Sequence, residues 1–147
     1  MRFARPLAGA ALTTATVAGL LIGTAPGAAA SAPCDATARA CVDLSEGTAW
    51  LMDRGEVTYG PVRVTAGGQG HRTPVGRFSV TYKDDDHRSR AYDDAPMPHA
   101  VFFTRGGVAF HEGDRDSRSH GCVRLSADAA AAFYRALQPG DAVQVHR

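Results

Sequence analysis

Short runs of apolar residues, some of them alternating with polar ones, dominate the middle of this chain. Residues 77–83 show the alternation best: Phe78, Val80 and Tyr82 fall on one side, Ser79 and Thr81 on the other, the period of a half-buried strand. Residues 48–52 (with the single tryptophan, Trp50), 56–59, 61–65, 100–104, 108–111 and 142–146 read as further strands. Gly60 separates the second of these from the third, and Arg105-Gly106-Gly107 joins residues 100–104 to 108–111 as a hairpin. Gly and Pro predict loops at residues 66–70, 73–76 and 96–98. The acidic run Asp84-Asp85-Asp86 reads as a solvated loop, because no spaced acidic partner accompanies it to make a cation loop. One helix is predicted. Ser126 is a suitable N-cap, Asp128 puts negative charge in the first turn, residues 129–137 propagate, and Pro139-Gly140 stops the run. Phe133 and Leu137, four positions apart, give it an apolar face. The fold class is therefore mainly β, with a helix late in the chain.

The first thirty residues follow another pattern. Arg2 and Arg5 precede an uncharged apolar and small-residue stretch over 7–22, and Ala28-Ala29-Ala30 supplies a small-x-small cleavage pattern. Residues 1–30 are expected to be a signal peptide, with an uncleaved membrane anchor as the alternative. The residues before Cys34 do not fit a lipoprotein signal. The expected location is the outer face of the membrane, the cell wall or the medium. Removing residues 1–30 takes away Arg2 and Arg5 and leaves fourteen basic residues against fifteen acidic ones. That balance excludes a nucleic-acid footprint and favours no anionic membrane surface.

Three cysteines in an exported chain leave one thiol without an intramolecular partner. Cys34 and Cys41 have six residues between them, just after the leader, so a local disulfide is expected within an N-terminal segment, residues 31–41. Residues 42–147 would then form the domain. Cys122 lies far away in Ser119-His120-Gly121-Cys122-Val123-Arg124 and is the candidate reactive thiol.

A thiol that accepts an acyl group needs a base, donors for the oxyanion, and access. Gly121 removes bulk beside the sulfur and allows unusual dihedrals, so that nearby N–H groups can face a developing oxyanion. The helix beginning near Ser126 would aim its positive end toward this turn. His111, ending an apolar strand, is the better base; His120, adjacent to Cys122, would face elsewhere and shape the pocket. Other roles stay open at this point. His111, His120 and Cys122 could ligate zinc, although a His-x-Cys pair does not match common ligand loops. Redox chemistry lacks a Cys-x-x-Cys partner, and a buried inert cysteine is the plain alternative. The absence of asparagine excludes a Cys–His–Asn triad within the chain.

Ser119-His120-Gly121-Cys122-Val123-Arg124 resembles the signature of the L,D-transpeptidase (YkuD-type) catalytic domain. Gly60-Pro61-Val62, Thr73-Pro74-Val75-Gly76-Arg77-Phe78, Pro96-Met97-Pro98, Phe102-Phe103, Gly107-Val108-Ala109-Phe110-His111, residues 125–129 and residues 139–143 extend the likeness in order, over about residues 42–146. The resemblance implies a β-sandwich of mixed sheets, Cys122 as nucleophile and His111 as base, with a group near Glu112 or Gly113 orienting the imidazole. It implies that His120 and Gly121 line the pocket beside backbone oxyanion donors. Arg124, with Ser119 near it, would meet the substrate, its guanidinium suiting a stem-peptide carboxylate; a structural ion pair is the alternative role for Arg124.

The implied reaction is transfer of a tetrapeptide stem of peptidoglycan, through a Cys thioester, to an amine of another stem. A 3→3 cross-link results. With water as acceptor the chain would be an L,D-carboxypeptidase, and without turnover a wall-binding protein. The expected inhibitors are carbapenem-type β-lactams, the expected state is a monomer, and no cofactor or metal is called for. One departure stands out: only the charged residues 112–118 separate His111 from Ser119, where many family members carry a longer loop. His87, Ser89 and Tyr92 are further pocket candidates.

Overall fold

A computed structural model describes residues 31–147; the signal peptide expected over residues 1–30 lies outside them. Nine strands and one helix follow in order: β1 (Ala40–Asp43), β2 (Thr48–Asp53), β3 (Glu56–Arg63), β4 (Gly76–Ser79), β5 (Tyr82–Ser89), β6 (Ala95–Phe102), β7 (Ala109–Glu112), β8 (Val123–Leu125), α1 (Ala127–Ala136) and β9 (Ala142–His146). They build a five-stranded sheet, β3-β2-β1-β9-β4, and a four-stranded sheet, β5-β6-β7-β8. Both are mixed, since β1 runs parallel to β9 and β7 parallel to β8. One apolar core joins Val42, Leu51 and Val143 of the first sheet to Val101, Phe110 and Val123 of the second, with Phe133 of α1. This is the mainly β architecture with mixed sheets and one helix that the resemblance implied.

The helix forms where local chemistry places it. Ser126 Oγ accepts from the Ala129 N–H at 3.3 Å, and Ala129, Ala130 and Phe133 are buried. The last turn has a partner no local signal shows. Lys83 Nζ, from β5, donates to the carbonyls of Tyr134 (2.7 Å) and Leu137 (2.9 Å).

Several strand boundaries differ from the alternation. The predicted strand over 77–83 is two: β4 pairs with β9 in one sheet, and β5 pairs with β6 in the other. The chain changes sheets at Val80-Thr81, which is why Val80 is buried while Tyr82 is exposed and stacks on Phe102 at 4.3 Å. Residues 56–63 form one strand, not two; β3 is an edge strand, where a proline with no N–H is tolerated. Asp84, Asp85 and Asp86 lie within β5, not in a loop. β5 is also an edge, and charged side chains there discourage pairing with another chain. Pro96-Met97-Pro98, predicted as a loop, lies inside β6. β1 and β8 carried no strand prediction at all.

The N-terminal segment is held against the outer face of the five-stranded sheet. A Cys34–Cys41 disulfide is present, and Cys41, on β1, sits beside Trp50 and Met52. Asp35 accepts from Gln144 Nε2 at 2.7 Å and pairs with Arg77 at 2.5 Å; hydrogen bonds from Thr37 and Gln144 hold its carboxyl well below the usual range. Thiol counting on denatured, unreduced protein should therefore find one free thiol, and finding three would contradict the pairing. Replacing both partners by alanine should cost about 2 kcal/mol of stability, the loop-closure contribution of so short a bridge.

Candidate active site

The period of two along β7 and β8 builds the site. The strands are parallel and in register, Phe110 opposite Val123 and His111 opposite Arg124. Phe110, Val123 and Leu125 point into the core. The intervening positions, Ala109, His111 and Arg124, therefore share the other face. Cys122, one residue before β8, joins them and packs against Met97, Ala100, Phe102 and Ala109. Cys122, His111 and Arg124 together border a cleft of about 560 Å³, which Tyr92, His120 and Asp114 also line.

Cys122 is the one free cysteine among the described residues and is half-buried. Burial pushes its thiol above the ordinary range, while the Ala109 N–H and the Arg124 charge pull the other way. Its Sγ lies 3.8 Å from the Gly107 carbonyl oxygen. His111 is 6% exposed. Burial lowers its pKa below the ordinary value, with the Arg124 and His87 charges acting in the same direction and the Glu112 hydrogen bond opposing. Nδ1 lies 2.6 Å from the Glu112 carbonyl oxygen. A carbonyl only accepts, so neutral His111 carries its proton on Nδ1 and keeps the Nε2 lone pair free.

The loop before β8 is held by hydroxyls. Ser119, buried, donates to the Cys122 carbonyl at 2.5 Å and accepts from the Gly121 N–H at 3.1 Å. Thr73, 2% exposed, donates to the Gly121 carbonyl at 2.6 Å and accepts from the Gly67 N–H at 2.9 Å. Gly121 adopts φ 124°, a conformation that favours glycine. Ser119 thus occupies the Gly121 N–H, while among the described residues the N–H groups of His120 and Cys122 donate no hydrogen bond. Thr73 had no role assigned from sequence; its place in the Thr-Pro-x-Gly-x-Phe motif was the available signal.

His120 lines the same cleft as His111 and Cys122, but its ring is engaged elsewhere. Its ring stacks on Tyr92 at 4.3 Å and meets His71 edge-on at 4.8 Å. Among the described residues no three His, Cys, Asp or Glu side chains are grouped to hold a metal ion. Of the other pocket candidates, Ser89 and Tyr92 line the cleft. His87 turns instead to Asp84 at 2.9 Å and to the edge of Phe102.

Arg124 makes no ion pair within 4 Å of a carboxylate among the described residues. Its guanidinium reaches the Asp114 carbonyl (3.4 Å) and the Ser117 hydroxyl (3.4 Å). Gly113 permits this arrangement, because a Cβ there would come within 3.1 Å of Arg124 Cγ and 3.3 Å of His111 Cε1. The glycine thus lets both side chains pack against the backbone, a contact that spacing alone does not reveal.

Comparisons with known proteins bear on the family and the fold. The sequence model of the L,D-transpeptidase catalytic domain matches residues 37–145. Among solved structures, an L,D-transpeptidase from Stackebrandtia nassauensis is similar at 29% identity and a TM-score of 0.71, over 78% of this chain and 58% of that one. One from Mycobacterium smegmatis is similar at 27% identity and a TM-score of 0.65, over 72% and 57%. An L,D-transpeptidase in complex with imipenem is similar at 25% identity and a TM-score of 0.63, over 71% and 56%. The chain spans little more than half the length of these relatives. A comparison with curated proteins found no match.

Proposed function

The chain belongs to the L,D-transpeptidase catalytic domain family, and on that footing we propose that it is an exported peptidoglycan L,D-transpeptidase that forms 3→3 cross-links through a Cys122 thioester. The observation that carries the mechanism is the shared strand face that puts Cys122, His111 and Arg124 on one cleft. His111 Nε2 takes the thiol proton as sulfur attacks the carbonyl of the third stem residue, diaminopimelate. The N–H groups of His120 and Cys122 receive the charge that develops on the carbonyl oxygen. The C–N bond to the terminal D-alanine breaks, and the imidazolium returns the proton to the departing amine. An amine of a second stem then attacks the thioester, gives its proton to His111, and the thiol is restored. Arg124, with no carboxylate partner among the described residues, receives a stem carboxylate.

Imipenem bound to a relative of this chain suggests the test. Incubation with imipenem should add one adduct mass, located on the Cys122 peptide. Untreated protein should convert purified disaccharide-tetrapeptide to a dimer lacking one D-alanine. Tripeptide without dimer would assign the chain as a carboxypeptidase, and no adduct with no product would leave only wall binding.

Thr73→Val tests the loop. It removes a buried hydroxyl that serves Gly121 and Gly67 together, at about 2 kcal/mol of stability. Loosening the Gly121 carbonyl displaces the neighbouring N–H groups, so imipenem acylation should slow at least roughly tenfold. Thr73→Ser should recover most of the rate; a Thr73→Val variant acylating at the wild-type rate would remove the residue from the mechanism.

A further inference from the structure

The loop between β7 and β8 has two sides. One side gives Asp114 and Ser117 to the catalytic cleft. The other gives Arg115 and Arg118 to a pair of open grooves of about 600 and 440 Å³, continuous through Leu44, Ser45 and Arg118. Arg72 lines the first groove and Arg63 the second. The acidic residues bordering them are Glu46 and Asp116, and Asp116 is already paired with Arg63 at 3.2 Å. Arg72, Arg115 and Arg118 have no carboxylate within 4 Å among the described residues. Arg72 and Arg118 are exposed.

This concentration of cations sits on a chain whose residues 31–147 carry fewer basic than acidic groups. The ridge beneath it is anchored. Thr65 Oγ1 donates to the Arg115 carbonyl at 2.5 Å, and Arg63 donates to the same oxygen at 2.9 Å. Ser119, next to Arg118, pairs its backbone with Gly67 and Gly68. The arginines are thus presented from a fixed backbone, and Ser117 borders both the cleft and the groove.

We infer that the arginine-lined groove is a second binding site for the polymeric substrate, taking the carboxylates of stem peptides next to the stem held at Cys122. This rests on the function proposed above. Guanidinium forks match carboxylates. A polymer crossing the loop at Ser117 passes from Arg124 in the cleft to the groove arginines without leaving the surface. Repeated anionic groups on one strand make the second contact intramolecular, so the groove raises affinity for wall polymer and not for a single stem. The interaction is between exposed charges and weakens as salt is added.

The test uses the full mature chain and purified sacculi stripped of phosphodiester-linked polymers with hydrofluoric acid. Wild-type protein should co-sediment with stripped sacculi, and less so as salt rises. Arg72→Gln/Arg118→Gln should bind them roughly tenfold more weakly at low ionic strength, with a flatter salt dependence. Its melting temperature, its imipenem acylation rate and its turnover of disaccharide-tetrapeptide should equal those of the wild type. Equal binding of both proteins to stripped sacculi would overturn the inference. So would a difference seen only on unstripped sacculi, which would make the groove a site for phosphodiester polymers. If wild-type protein failed to acylate with imipenem while the binding difference held, the proposed function would fall and the groove would stand.

Discussion

Cys122→Ser is expected to lower the rate of imipenem acylation on the order of 10⁴-fold or more, with little change in melting temperature. The fold has small stake in the sulfur. Cys122 is half-buried against Met97, Ala100, Phe102 and Ala109, and its polar contacts are a long approach to the Gly107 carbonyl and the Ala109 N–H. The chemistry depends on it entirely. The thiol is kept protonated at rest by burial, but its proton is still far more easily removed by imidazole than that of a serine hydroxyl. Iodoacetamide should abolish wild-type activity by alkylating Cys122, and prior acylation by imipenem should block that alkylation. Chelators should leave the rate unchanged. A rate that fell on chelation and returned with zinc, or a Cys122→Ser variant with near-normal turnover, would overturn the nucleophile assignment.

His111→Ala should slow acylation on the order of 10³-fold near neutral pH, and the pH profile distinguishes a base from a packing residue. Burial and the nearby Arg124 charge both depress the His111 pKa. The imidazole is therefore neutral at pH 7 and becomes protonated only when the pH falls below the ordinary histidine value of about 6.5. Wild-type kcat/KM should be flat through neutrality and decline at a pH below that value. His111→Ala should lose that acid limb along with the rate. Arg124→Gln removes one of the depressing charges, so the limb should shift to higher pH while carboxylate recognition weakens. His120→Ala should do less, because this ring stacks on Tyr92, meets His71 edge-on and holds the pocket wall. A His111→Ala variant that keeps wild-type rate and pH profile, beside an inactive His120→Ala, would reverse the two roles.

What could be read from the sequence was what short-range energetics decide. The helix is an example: a hydroxyl three residues from the N–H it caps, an acid in the first turn, good propagating residues, and a Pro-Gly stop. The strand over residues 142–146 came through for the same reason, since a two-residue period is a local property, and residues 48–52 were legible as a short apolar run around Trp50. The pairing of Cys34 with Cys41 was within reach because the cysteines are close along the chain. His111 and Cys122 could be nominated, each from its own motif.

Their arrangement could not be. β8 has three residues, too few to display a period, and exists as a strand because β7 lies parallel beside it. That pairing is what puts Arg124 opposite His111. The break at Val80-Thr81 is invisible to alternation, because both sheets impose the same period and only their packing decides where the chain crosses. Thr73 reaches the Gly121 carbonyl across 48 positions, Lys83 reaches the end of α1 across more than fifty, and Arg72 shares a groove with Arg118. Such contacts form only once the chain's conformational entropy has been given up to the whole core. No window of neighbouring residues records them, and the site's charge, orientation and second groove were decided there.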